Sequence, residues 1–267
     1  MSNIAEKLVQ IANKEAENIE LNNQLTNILV GAGEPSTYYD EFWDAFQYNG
    51  ERISYNEAFY GWGVDYIRPK YKVIPKDGKV PQLSASGTIA KYSYMVYACP
   101  YLKKIEKEYF DLSQYYNELS YDTQSTYGNF YTFANNPSLE EIEDVGMQPY
   151  TYYGTFRWNP KLHTIEVIRS NEKTIFDAGT FNSCFELTNI KIEGVIASNI
   201  SFHHSSKLSR ESIESIVNHL SEDTGATVTL TKQAVSNAFG SDYDKEGSDW
   251  LKTIVPKTDI GWSFSLK

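Results

Sequence analysis

The chain has 267 residues, of which 41% are hydrophobic, and it carries a net charge of −11 at pH 7. This length and apolar fraction allow a sizeable core, whereas the acidic balance speaks against a nucleic-acid-binding surface, which needs clustered Lys and Arg. The sequence lacks the long apolar run of a membrane-spanning helix, and its N-terminus lacks the basic and apolar regions of a secretion signal.

Residues 1–33 form the first predicted unit. Apolar residues recur at helical spacing from Ile4 to Leu29, and Gly31 to Pro35 ends the run. Asn18 and Asn22 interrupt a strict heptad, and polar core positions of this kind can fix register and oligomeric state in a coiled coil. Two interpretations fit: residues 4–29 form a dimeric or trimeric stalk, or they form one amphipathic helix that lies on the next unit or a frayed end.

Residues 34–83 form a second unit that is dense in aromatic side chains. Phe42, Trp43 and Phe46 follow helical spacing, and Tyr55 and Phe59 recur at a similar interval. Rings of this kind could line a sugar-binding platform, but rings on one helical face are more typical of a core or of a cap on a repeat stack. We therefore expect a capping module.

Residues 84–208 contain four copies of the pattern F-x-x-x-x-x-L, and the first three copies add an isoleucine three positions later. The leucines follow one another at spacings of 23, 25 and 21 residues, and a weaker upstream copy contributes Leu102 and Ile105. A period in the low twenties is the length of one leucine-rich-repeat coil, while an ordinary all-β domain with widely spaced strands is the alternative. The copies are Phe133 to Leu139, Phe156 to Leu162, Phe181 to Leu187 and Phe202 to Leu208.

The third copy carries the clearest likeness to a known family. The segment Ala178 to Gly194 resembles the BspA-type (Treponema-type) leucine-rich repeat, with Cys184 at the cysteine position of that repeat. The other copies have Asn136, Asn159 and Ser205 at this position, which are small residues that can turn the chain. Residues 39–71 are similar to a module that precedes such repeats in proteins of Firmicutes phages and prophages. The resemblance implies a phage-encoded surface or tail-associated protein, and it implies no chemistry.

Residues 209–267 are predicted to form a C-terminal cap. A helix is expected after Ser209, which is a favourable N-cap, with Glu211 near the positive end of the helix dipole. A strand over Thr227 to Thr231, a short helix over Gln233 to Phe239 and a paired strand over Ile260 to Leu266 follow. The predicted fold is therefore α+β: a short leucine-rich-repeat solenoid with a helical N-terminal segment and an α/β C-terminal cap.

The search for catalytic and metal-binding motifs predicts neither an enzyme nor a cofactor. None of the four histidines belongs to an H-E-x-x-H arrangement, and Asp242 to Thr253 imitates a calcium loop but ends in Thr where a bidentate Glu is required. Cys99 and Cys184 lie far apart in the repeat register, so we expect reduced thiols. With 35 acidic residues some carboxylates will lie close together, which leaves a glycan-cleaving enzyme as an alternative.

The predicted function is non-enzymatic recognition. The chain has 21 tyrosines, which combine a broad contact area with a hydroxyl group and suit adaptable recognition surfaces, although tyrosine also fills β-rich surfaces. We predict a phage or prophage tail-associated virion protein that is assembled in the host cytoplasm and binds a host cell-surface protein or glycan, or other tail proteins. An intracellular inhibitor of a host defence protein is the second alternative. The predicted binding residues are Tyr115, Tyr116, Tyr121, Tyr127, Tyr150, Tyr152 and Tyr153.

Overall fold

The structure is a computed structural model of the chain. It describes residues 59–61, 63, 67, 95–113, 131–149, 151–222, 225–240 and 261–267. The predicted N-terminal helix, nearly all of the 34–83 module and the calcium-like segment lie outside these residues. Among the helices in the described part of the chain, none is long and apolar enough to cross a membrane.

Seven short strands and two helices make up the regular structure of the described residues. In chain order they are β1 (Lys104–Ile105), β2 (Glu141–Ile142), β3 (Thr164–Ser170), β4 (Asn189–Gly194), β5 (Ile200–Ser201), α1 (Arg210–Asn218), β6 (Thr227–Leu230), α2 (Lys232–Phe239) and β7 (Ser263–Leu266).

The first sheet contains four parallel strands in the order β1-β2-β3-β4, which follows the chain. Its register aligns one isoleucine from each strand: Ile105, Ile142, Ile165 and Ile190. These isoleucines are buried, as are the leucines three residues before each of them. The predicted equivalence of the Leu and Ile positions, including the weak upstream copy, is therefore confirmed. Burial of each such side chain contributes about 1.5 to 3 kcal/mol.

A column of phenylalanine rings runs through the core beside this sheet. Phe133, Phe156, Phe181 and Phe202 are the first residues of the four sequence copies, and all of them are buried. Neighbouring ring centroids lie 6.4, 5.5 and 4.4 Å apart in near-parallel orientation. The repeated Phe thus aligns successive turns by ring packing, while the Ile positions align the strands.

Two buried asparagines connect the turns by hydrogen bonds. The side-chain oxygen of Asn159 accepts from the backbone N–H of Asn136 at 2.8 Å, and the side-chain oxygen of Asn136 accepts from the backbone N–H of Cys99 at 2.9 Å. The same amides donate to backbone carbonyl oxygens: Asn136 to Val96, and Asn159 to Phe133 and Phe156. Each asparagine therefore satisfies backbone groups of more than one turn, which a buried backbone requires.

Thiol and hydroxyl groups occupy the equivalent position in the outer turns. Cys184 donates through Sγ to the carbonyl oxygen of Phe156 at 3.0 Å, and Ser205 donates through Oγ to that of Cys184 at 3.1 Å. Burial raises the pKa of the Cys184 thiol to about 12, so this cysteine stays protonated as a donor. The cysteine of the repeat is accordingly a structural residue and is not a nucleophile.

Helix α1 completes the hydrogen bonding at the β4 edge of the first sheet. The hydroxyl oxygens of Ser212 and Ser215 accept from the backbone N–H groups of Ile190 and Ile192, each at 2.9 Å. Ser212 also donates to the carbonyl oxygen of Thr188 at 2.8 Å. The two serines therefore stand where a further strand would pair, which removes an exposed edge that could promote aggregation.

We expect Ser212→Ala combined with Ser215→Ala to lower the free energy of unfolding by about 2 to 5 kcal/mol, because each buried N–H left without an acceptor costs about 1 to 3 kcal/mol. Urea unfolding followed by circular dichroism measures the loss. Glu214→Ala on the same helix is the control, since it removes only an exposed pair with Arg210 and should cost less than about 0.5 kcal/mol. A double variant as stable as this control would contradict the capping role.

A second sheet of three parallel strands, in the order β5-β6-β7, closes the C-terminal part of the described chain. Its register aligns Ile200, Val228 and Phe264. The individual elements predicted here are confirmed: Ser209 is the N-cap of α1 and accepts from the Ser212 N–H, α2 ends at Phe239, and β7 is paired.

The predicted fold class is wrong. A single leucine-rich-repeat solenoid would continue one strand ladder, whereas the described residues form two separate parallel sheets with two helices. The physical reason lies in the fourth sequence copy, which leads into α1 where the first three lead into strands. The strand before that copy, β5, pairs instead with β6, so the ladder of the first sheet stops at β4.

Candidate functional site

Five aromatic side chains from four successive turns lie next to one another ahead of the strands of the first sheet. We call Tyr60, Tyr97, Tyr131, Tyr153 and Trp158 the aromatic row. Neighbouring ring centroids are separated by 5.1 Å for Tyr60 and Tyr97, 6.4 Å for Tyr97 and Tyr131, 5.7 Å for Tyr131 and Tyr153, and 6.0 Å for Tyr131 and Trp158. Aromatic pairs within about 7 Å stabilise one another beyond their buried area.

Backbone hydrogen bonds between the turns place these rings. Each turn donates N–H groups to carbonyl oxygens of the next turn, as neighbouring parallel strands do, although these segments are turns. Because the bonds hold successive turns one above another, rings at different positions of neighbouring turns come into contact. The bonds run from Gly61 to Tyr97 (2.7 Å), Ala98 to Ala134 (3.3 Å), Tyr131 to Tyr153 (3.0 Å), Asn135 to Arg157 (2.8 Å) and Trp158 to Asn182 (2.8 Å).

Gly154 makes room for the central ring of the aromatic row. Its φ is +57°, and a Cβ atom built there would lie 2.6 Å from Cε1 of Tyr131. The Tyr131 ring therefore lies directly on the backbone of the following turn. The N–H of Gly154 donates to Oδ1 of Asp177 at 2.9 Å, which fixes this stretch of backbone under the ring.

Trp158 has a left-handed backbone conformation, with φ at +62°. Residues at the equivalent place in other turns, Ala98, Asn135 and Ser183, have φ between 57° and 62°. The turn imposes this conformation, since residues with very different side chains share it. A bulky side chain at such a φ is uncommon, and strained positions of this kind are often found at functional sites.

The aromatic row is accessible to a partner. Tyr60, Tyr153 and Trp158 are 51%, 42% and 37% exposed, while Tyr97 and Tyr131 are half-buried between them. Burial raises the pKa of Tyr97, and the neighbouring Tyr60 adds to this effect. The Tyr97 phenol is therefore a neutral hydrogen-bonding group near pH 7. Large exposed rings are the side chains that contribute most at binding interfaces.

Arg157 lies beside the exposed end of the row. Its guanidinium carbon is 4.1 Å from the centroid of the Trp158 ring, which is a cation–π contact. Arg157 follows Phe156 directly, so the backbone bond between Asn135 and Arg157 holds it in the same stack of turns. The site thus combines Tyr, Trp and Arg, the residue types enriched at protein interfaces.

The tyrosines predicted to bind a partner differ in their location. Tyr153 lies in the aromatic row and is exposed. Tyr152 is only 1% exposed, so its prediction as a surface contact is wrong; its hydroxyl donates to the carbonyl oxygen of Arg169 at 2.8 Å, and its ring stacks on Phe176 at 4.9 Å. The remaining ones, Tyr115, Tyr116, Tyr121, Tyr127 and Tyr150, lie outside the described residues.

Sequence reasoning missed most of the row. Tyr131 precedes the Phe of its copy by two residues, and Trp158 follows the Phe of its copy by two, so a position-by-position comparison of the copies would have placed both in the turns. The upstream Tyr60 and Tyr97 carried no such signal, because their turns lack the F-x-x-x-x-x-L pattern: Val96 stands at the repeated Phe position in one, and Phe59 in the other has no Leu six residues later. Only the backbone bonds between turns bring all five rings together.

A charged cluster lies on and beside the first sheet, where two cations pair with four carboxylates. Arg169 forms an ion pair with Asp144 and lies 3.2 Å from Glu193, at a cleft of about 430 Å³. The hydrogen bonds from Arg169 hold the pKa of Asp144 below its usual value. Nearby, Lys104 lies 3.1 and 2.7 Å from Glu141 and Glu143, and these bonds raise the pKa of the Lys104 ammonium. These side chains stabilise the sheet surface by mutual pairing.

One serine and one histidine have the separation of a nucleophile and its base. Ser201 Oγ and His203 Nδ1 are 2.9 Å apart. Burial and the neighbouring His204, whose ring centroid is 4.1 Å away, lower the pKa of His203. In the part of the chain that the structure describes, no carboxylate forms a hydrogen bond or ion pair with His203, so the third member of a triad is missing from this pair.

Comparisons with known proteins add no further likeness. No family model matches the chain, and neither a curated protein nor a solved structure matches it. The case for the site therefore rests on its geometry.

Proposed function

We propose that this chain is a non-enzymatic recognition protein that binds a partner on the bacterial surface through the aromatic row, as a tail-associated protein of a phage or prophage. The observation that carries the proposal is the row itself: five rings from four successive turns, three of them exposed, with Arg157 at their side. The phage setting is supported by the likeness of residues 39–71 to a phage module.

Binding is favoured over catalysis by the chemistry of the described residues. The Cys184 thiol is buried with a raised pKa, and the Ser201 and His203 pair has no carboxylate among the described residues to orient it. Glu141 and Glu143 pair with Lys104, and Asp144 pairs with Arg169. A glycan-cleaving enzyme needs two carboxylates that face each other across a groove, at a separation of about 5 to 9.5 Å. Carboxylate oxygens of Glu141, Glu143 and Glu166 lie within 4.8 Å of one another, but Glu141 and Glu143 are held by Lys104 on the sheet surface. The exposed rings offer a contact surface instead.

Direct binding tests the proposal. Fluorescently labelled protein is titrated onto intact Firmicutes cells, and Tyr153→Ala and Trp158→Ala are compared with Tyr101→Ala. Tyr101 is the matched control, since it is 57% exposed and lies outside the row. We expect each row variant to weaken binding about 5- to 30-fold, the effect of losing about 1 to 2 kcal/mol, and the control to bind normally.

The variants should remain folded. Ala98 has the same left-handed conformation as Trp158, so alanine is compatible with that turn. Equal binding by all three variants would refute the role of the row. Binding to a soluble host protein without binding to intact cells would favour the intracellular inhibitor, and release of reducing ends from cell-wall polysaccharide would favour the enzyme. Mass spectrometry of purified phage particles tests the tail association separately.

A further inference from the structure

Arg157 carries a positive charge that no carboxylate neutralises among the residues that the structure describes. The ion pairs within 4.0 Å among the described residues all involve cations other than Arg157. The Arg157 guanidinium instead contacts the Trp158 ring. The Nε atom of Arg157 is buried and has no hydrogen-bond partner. The Nε–H group has therefore lost solvation without gaining an acceptor, which costs free energy, while the side chain as a whole stays partly exposed and open to a ligand.

Asp177 lies on the same side of the stack but is already occupied. Both Asp177 and Arg157 lie close to Gly179. A Cβ atom built on this glycine would be 2.8 Å from Oδ2 of Asp177 and 3.6 Å from a terminal nitrogen of Arg157. The carboxylate of Asp177 accepts hydrogen bonds from the N–H groups of Gly154 and Gly179 and from Oγ1 of Thr180, at 2.8 to 2.9 Å. These bonds hold Asp177 in a structural role and leave Arg157 for another anion.

The orientation of the rings favours a protein partner over a sugar chain. Tyr131 is nearly perpendicular to both Tyr97 and Tyr153, with interplanar angles of 84°. A flat platform for a sugar chain would present its ring faces in one plane, whereas this row mixes stacked pairs (Tyr60 with Tyr97, Tyr131 with Trp158) with perpendicular ones and so presents ring edges, faces and hydroxyl groups together. Protein side chains can pack into such a mixed surface, and Tyr, Trp and Arg dominate the free energy of protein interfaces.

We infer that the aromatic row receives a protein segment in which an acidic side chain stands next to an aromatic or apolar one, with the carboxylate bound by Arg157. The inference rests on the proposed function and names its partner chemistry. Arg157 supplies a planar fork of donors that matches a carboxylate, and the rings around it exclude water and strengthen the pair. The neighbouring rings bind the apolar part of the segment.

A pair of synthetic peptides tests this inference: acetyl-Phe-Glu-Phe-amide and acetyl-Phe-Gln-Phe-amide, which differ by one charge at nearly equal shape. Binding is followed by nuclear magnetic resonance at the indole N–H of Trp158. We expect the Glu peptide to bind the full-length chain at least about ten-fold more tightly, which corresponds to about 1.4 kcal/mol. Arg157→Gln should abolish this difference, and Arg157→Lys should retain part of it, because an ammonium keeps the charge and loses the fork.

Lys161→Gln is the matched control, because it removes an exposed positive charge outside the row and should leave the preference for the Glu peptide unchanged. Equal affinity for the two peptides, absence of binding by both, or an unchanged preference in Arg157→Gln would overturn the inference. Tighter binding of glucuronate or inorganic phosphate than of the Glu peptide would overturn it in favour of an acidic glycan or a phosphate. The cell-binding experiment tests the proposed function separately: unchanged cell binding by Trp158→Ala would refute that function, whatever the peptides do.

Discussion

Asn159→Ala is expected to lower the free energy of unfolding by about 3 to 5 kcal/mol. The substitution leaves the N–H of Asn136 and the carbonyl oxygen of Phe133 buried without partners, at about 1 to 3 kcal/mol each, and it also opens a cavity in the core. Since Asn159 links adjacent turns, its loss should lower the free energy of global unfolding and not only of a local segment. Chemical unfolding by urea measures the change.

Asn159→Ser separates the two contributions. Serine stands at the equivalent position 205 and can make a single donation there, so it should recover part of the loss. Asn182→Ala, at a partly exposed amide in a neighbouring turn, should cost less than about 1 kcal/mol. If Asn159→Ala were no more costly than Asn182→Ala, the hydrogen-bonded ladder would not be the element that holds the turns together.

Gly194→Ala is expected to be at least as damaging, with a loss of about 3 to 5 kcal/mol. Gly194 ends β4 with a φ of +95°, and a Cβ atom there would lie 1.9 Å from the carbonyl oxygen of Ser170. Because the obstacle is backbone, β3 and β4 would have to separate, and the bond from the N–H of Val195 to the same oxygen (3.2 Å) would be lost. Backbone strain and overpacking each contribute about 1 to 3 kcal/mol.

Gly240→Ala provides a control of the same backbone type. Its φ is +99°, but no atom lies within 4 Å of the added Cβ position, so it carries the conformational strain without the clash. Thermal unfolding of both variants should show the larger drop in melting temperature for Gly194→Ala. Equal drops would mean that the close approach of β3 and β4 is not limiting.

The alignment of the turns could be predicted from the sequence because it depends on local spacing. The Leu and Ile positions recur at nearly constant intervals, and the strands pair in the register that these intervals predict. The N-cap of α1 is equally local, since a serine side chain at position 209 reaches an N–H only three residues away. Patterns of this range are visible in one sequence.

The fold class could not be predicted because strand partners are not encoded locally. The alternation over Thr227 to Leu230 indicates a strand, but it does not say that the strand lies parallel to β5 and β7 in a separate sheet. The burial of Tyr152 has a similar origin. Its ring is covered by Phe176, which the next turn supplies, while the adjacent Tyr153 points toward solvent.

The composition of the candidate site depends on contacts between turns in the same way. Tyr60 and Tyr97 precede the clear repeats, and neither shows a pattern that relates it to Trp158. Arg157 is one of 24 basic residues, and among the described arginines it differs from Arg169 and Arg210 in having no ion pair. The high tyrosine content predicted the residue type of the surface but not which residues form it.

The reactivity of the Cys184 thiol reports on the separation of neighbouring turns. Its side chain is buried, and its raised pKa keeps the thiolate scarce, so an alkylating reagent can reach it only after the turns on either side separate. Cys99 occupies the equivalent position three turns earlier and is also buried. The labelling rates of these two native thiols therefore read out, without any engineered probe, whether the stack frays from one end or opens as a unit.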